Sequence, residues 1–97
     1  MEICVVVKNP GQKATVMNIE DSLESLQHLV GGYIEMLSFK GIDFIVNEEG
    51  ALTNLPFNTF INNTPILGTI IAASHNDEGD TIGLTHEQVN TAINILK

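Results

Sequence analysis

The sequence has no arginine, and four lysines at positions 8, 13, 40 and 97 face twelve aspartates and glutamates, for a formal net charge of −8. Arginine supplies the planar fork that grips phosphates and carboxylates bidentately, and a duplex-binding surface must neutralise many phosphates with Arg or Lys. Direct binding to nucleic acid or to an anionic membrane surface is therefore not expected. The acidic surface is read first as a device for solubility, with a basic partner as the functional alternative. Cysteine occurs once, so an internal disulfide is excluded, and within the apolar run Ile3–Val7 the thiol of Cys4 is expected to behave as a small buried hydrophobe. No run approaches the roughly 18 apolar residues of a membrane span, and no basic segment leads into an apolar one as in a secretion signal. The expected location is the cytoplasm.

Patterns that carry chemistry are also missing. A nucleophile needs a base beside it and a third group to orient that base, yet the serines lie in no G-x-S-x-G turn and Ser74-His75 is only a sequence neighbour pair. His75, Asp77, Glu78, Asp80, His86 and Glu87 crowd one segment, but His86-Glu87 is followed by Gln88-Val89-Asn90 rather than completing H-E-x-x-H. Aligning Gly79 with the glycine of a calcium loop puts Ser74 first and Thr85 last, where carboxylates are required. Gly31-Gly32 follows a helical segment instead of preceding one, so it reads as a helix stop, with close backbone approach to a ligand as the alternative. The expectation is a non-enzymatic chain with no catalytic residue, cofactor or metal.

What is present is a globular composition, 43% hydrophobic and 16% charged over 97 residues, which suits one domain. Met1–Lys8 reads as a strand buried on both faces, turned at Asn9-Pro10-Gly11 into a second strand over Lys13–Ile19. Asp21 and Glu24 have capping-box spacing, and Leu23, Leu26, Leu29 and Val30 form one face of a helix ended by Gly31-Gly32. Tyr33–Phe39 and Ile42–Asn47 flank Lys40-Gly41 as a hairpin. Residues 51–65 read as loop with one short helix, and Ile66–Ser74 as a buried strand in which Gly68 marks a bulge or close approach. Thr85 and Gln88 cap a last helix with the stripe Val89, Ala92, Ile93, Leu96. The fold class is α+β: an antiparallel-rich sheet of about five strands with two helices packed on one face, in the order β-β-α-β-β-loop-β-α. A core this thin makes a homodimer or higher homo-oligomer the expected assembly.

Asn47, Glu48, Glu49, Asn54, Asn58, Asn62 and Asn63 gather around Pro56. Asparagine both donates and accepts, so such a segment can read the edge of a sugar, base or peptide; it is equally an ordinary turn residue, and both readings stand.

Four segments carry a wider resemblance: Leu26-Gln27-His28-Leu29-Val30-Gly31-Gly32-Tyr33-Ile34-Glu35, Asn47-Glu48-Glu49-Gly50, Leu55-Pro56-Phe57-Asn58 and Leu84-Thr85-His86-Glu87. Together they resemble, almost end to end, the family of unknown function numbered 3846. The chain departs from the family pattern at Phe57, where members often carry a second proline, and in lacking their usual basic residues. The resemblance implies small proteins of phages, plasmids and their bacterial hosts. In that setting the expected role is counter-defence, by sequestering a nucleotide-derived immune signal, with an acidic inhibitor of a host defence protein as the alternative. The ligand-binding residues expected are Gly32, Tyr33, Asn47, Glu48, Asn54 and Asn58. Tyr33 would stack on a base, Asn47, Glu48 and Asn58 would bond ribose hydroxyls, and Lys8, Lys13 or Lys40 would offset any phosphate.

Overall fold

A computed structural model describes all residues, 1–97. Its main sheet runs in the order β2-β1-β7-β4-β3, and every neighbouring pair is antiparallel. The strands are β1 (Glu2–Lys8), β2 (Thr15–Glu20), β3 (Ile34–Phe39), β4 (Ile42–Asn47) and β7 (Ile70–His75). A short strand β8 (Thr81–Ile82) adds to the end of β7, and β5 (Phe57–Ile61) with β6 (Thr64–Leu67) forms a separate hairpin. The helices are α1 (Leu23–Val30) and α2 (His86–Ile95). Neither is long and apolar enough to cross a membrane.

The α+β class and the antiparallel sheet are as the sequence predicts. The two helices, however, lie on opposite faces rather than on one. Val6, Ile42, Phe44, Val46, Ile70 and Ala72 pack with Ala92 of α2, with Leu96, which caps that helix, and with Ile61 and Ile66 of the β5–β6 hairpin. The alternate residues Val5, Val7, Ile45, Ile71 and Ala73 pack with Leu26 and Val30 of α1. Successive side chains of a strand point to opposite faces, so β1, β4 and β7, which carry apolar residues on both faces and are buried at nearly every position, must be covered twice.

Local chemistry sets the boundaries. Helix α1 starts one residue later than the Asp21 spacing predicts: Ser22 is the N-cap, and its hydroxyl accepts from the Ser25 N–H at 3.1 Å. Leu23, expected in the apolar stripe, is exposed. Gly31 stops the helix with φ 81°, a left-handed conformation that costs glycine little, and its N–H donates to the Gln27 carbonyl. Thr85 and Gln88 form the reciprocal capping box of α2. Lys40 and Gly41, both at positive φ, close the β3–β4 hairpin.

Residues 51–65 depart most from expectation. In place of loop and short helix, the chain makes turns through Asn54 and then the β5–β6 hairpin, closed by Asn62 and Asn63 at φ 48° and 65°. The expected strand over Ile66–Ser74 is divided at Gly68. That glycine has φ 87°, a conformation strained for other residues, and a Cβ there would stand 2.8 Å from Leu55 Cδ1 and displace that side chain.

Candidate functional site

The C-terminus of α1 and the end of β4 meet in a shallow depression of about 250 Å³ lined by Gln27, Gly31, Gly32, Tyr33, Asn47, Glu49 and Thr53. Three of the six expected ligand-binding residues, Gly32, Tyr33 and Asn47, are thus brought together at the open end of the β3–β4 hairpin, beside the end of α1. Asn47 builds the wall: its Nδ2 donates to the Val30 carbonyl at 3.1 Å and its Oδ1 accepts from the Glu49 N–H at 2.7 Å. The first bond satisfies a carbonyl in the last turn of α1, which has no helical partner. Gly32 lies against that amide, since a Cβ would come within 3.0 Å of Asn47 Nδ2. Tyr33, the only tyrosine, is 67% exposed and its carbonyl accepts from the Glu48 N–H at 2.8 Å. Its ring is held at the rim with its backbone fixed. The Glu49 carbonyl accepts from both the N–H and the hydroxyl of Thr53, which ties the rim together.

The other three expected residues are elsewhere. Glu48 faces the adjoining groove, with Glu35, Leu37 and Pro65. Asn54 is an exposed turn residue at φ 55° and does not line the depression. Asn58 is buried and structural: both its amide protons are used, on the carbonyls of Lys8 and Gly68 at 2.8 Å each, and its Oδ1 accepts from Lys8 Nζ at 2.8 Å. It joins β5 to the ends of β1 and β6, and it does not line the depression.

Gln27 and Thr53 were not predicted from the sequence as lining residues, whereas Glu49 belongs to the polar set around Pro56 without being among the six expected ligand-binding residues. The helical period did point Gln27 away from the leucine stripe, which is the one local sign of it. A second unpredicted cluster lies on the α1 face, where the buried Asp43 carboxylate accepts from Ser38 Oγ at 2.8 Å and meets His75 Nδ1 at 2.6 Å. An acid inside I-D-F-I-V-N was its signal, because a buried carboxylate needs partners. The carboxylate stands between hydroxyl and imidazole, so His75 does not face Ser38 Oγ and the set lacks the order of a Ser-His-Asp triad. Cys4, expected to be buried, is half-buried. The acidic and histidine residues of the 75–87 segment do not gather three together in a way that could hold a metal.

These features define a small α+β protein in which a two-sided antiparallel sheet carries an open polar depression at the end of its first helix. Within that class, the chain belongs to the family described as Domain of unknown function (DUF3846), which it matches over residues 1–97. No match was found among curated proteins or among solved structures.

Proposed function

We propose that the protein is a small non-enzymatic binding protein that captures a nucleoside-like group in the depression beside α1. The observation that carries this reading is the convergence of Gly32, Tyr33 and Asn47 on one rim, with an aromatic ring free to stack. Stacking on an exposed ring contributes about 1–3 kcal/mol per base. Glu49 and Gln27 on the same rim are suited to ribose hydroxyls and base edges. No lysine lines the depression, so it suits base and sugar, with phosphates left in solvent. In the phage, plasmid and host setting implied by the family resemblance, such capture would serve counter-defence by removing a nucleotide-derived immune signal from the cytoplasm.

Calorimetric titration with nucleosides, cyclic nucleotides and ADP-ribose tests it. Binding should be saturable and should weaken by about tenfold or more in Tyr33→Ala, equivalent to roughly 1.4 kcal/mol. Absence of heat with every one of these ligands would overturn it.

A second reading, inhibition of a host protein, is favoured by the outer face of the β5–β6 hairpin. Phe57 and Phe60 are exposed there with ring centroids 5.1 Å apart. Paired exposed aromatics are a common centre of protein interfaces. Capture of a host protein, lost in Phe57→Ser with Phe60→Ser, would select this reading.

A further inference from the structure

The chain carries twelve side-chain carboxylates and four lysines, yet no lysine has a carboxylate within 4.0 Å; the two ion pairs belong to the Met1 amino group with Glu20 and to His75 with Asp43. Three of the four lysines instead surround one cavity. Lys8, Lys13 and Lys97, with Gln12, Ala14, Ile93 and Leu96, enclose about 380 Å³ between the end of β1, the turn that follows it and the last turn of α2. This volume falls in the range of small-molecule sites, roughly 300–1,000 Å³.

Lys8 is the unusual member. It is only 8% exposed, and its ammonium has one hydrogen-bond partner, the neutral Oδ1 of Asn58 at 2.8 Å. An ammonium carries three donors, and a charge taken out of water is costly unless it is paired and hydrogen-bonded. A neutral amide oxygen supplies one bond and no charge. Lys13 and Lys97 are exposed at the rim, while Ala14, Ile93 and Leu96 give the cavity an apolar lining. Like charges are gathered here by a chain whose other charges are overwhelmingly negative.

We propose that this cavity binds a small amphipathic oxyanion: a carboxylate or phosphate head held by Lys8, Lys13 and Lys97, on an apolar or aromatic body lying against Ala14, Ile93 and Leu96. Charge-assisted bonds to Lys8 would supply the counter-charge that Asn58 does not. The site is separate from the Tyr33 depression. Lys8 shares the alternation of Val6, toward α2, whereas Asn47 shares that of Ile45, toward α1.

The test is amide-resolved NMR of the full chain titrated with phenyl phosphate, benzoate, inorganic phosphate and, as the uncharged control, benzyl alcohol. At least one of the two aromatic anions should give saturable shifts at the amides of Lys8, Lys13, Ala14 and Leu96. Phenyl phosphate against benzoate shows which head group the site takes. Inorganic phosphate should bind more weakly than phenyl phosphate, and benzyl alcohol should leave these amides unmoved. Lys8→Met should weaken the preferred anion by about tenfold or more, and the exposed Lys13→Gln by roughly threefold, without moving the Tyr33 amide. Should Lys8→Met fail to fold, Lys13→Gln alone decides. Shifts absent with both aromatic anions, equal with benzyl alcohol, or unchanged by these variants would overturn the proposal and leave Lys8 as a structural partner of Asn58.

Discussion

Asn58 fastens three parts of the chain with one amide, and it marks the limit of reading residues singly. An amide that can meet a ribose hydroxyl can equally meet a backbone carbonyl, and nothing in Leu55-Pro56-Phe57-Asn58 says which partner is nearer. Asn58 meets the carbonyls of Lys8 and Gly68, fifty and ten residues away. Asn47 likewise spends its amide on Val30 and Glu49 and serves the depression as wall. Asn58→Ala would strand two buried carbonyls and the Lys8 ammonium, so urea denaturation should show a loss of about 2–3 kcal/mol. A change below about 0.5 kcal/mol would mean that solvent replaces those bonds. Tyr33→Ala removes an exposed side chain and should leave stability within about 0.5 kcal/mol of the parent. Its effect on binding is therefore readable without a folding correction.

Elements fixed by local chemistry were legible: the Thr85–Gln88 capping box, the Gly31 stop and the Lys40-Gly41 turn each need only neighbours within four residues. The β5–β6 hairpin was not, because its strands are short, contain asparagine and proline, and are joined by Asn62-Asn63 rather than by a glycine turn. Both asparagines occupy the left-handed region, which asparagine tolerates better than other non-glycine residues. Asn63→Gly should therefore keep or slightly raise the melting temperature. Asn63→Val, with a branched Cβ at φ 65°, should cost about 1–2 kcal/mol. Equal stability of the two variants would contradict the turn as described.

At the scale of the whole molecule, the sign of a two-sided sheet was already present in the doubly apolar β1, yet the face each helix covers depends on strand order, which no local pattern encodes. The gathering of Lys8, Lys13 and Lys97 is non-local in the same way, since it needs β1 and the end of α2 side by side. Charge behaves collectively too. With a net charge of −8 and no lysine paired to a carboxylate, self-repulsion outweighs attraction across the surface. Raising salt from about 0.01 to 0.15 M shortens the screening length from roughly 30 to 8 Å, and the melting temperature should rise; a fall would reveal attractive pairs that dominate. The central claim is that this chain recognises a nucleoside-like molecule and leaves it chemically intact. An amide-resolved NMR titration with adenosine and a cyclic nucleotide, followed by recovery of the ligand, tests it most directly. The account predicts saturable shifts at Gln27, Gly31–Tyr33, Glu49 and Thr53 with the ligand returned unchanged, and it is contradicted if those amides stay still or the recovered ligand has been converted.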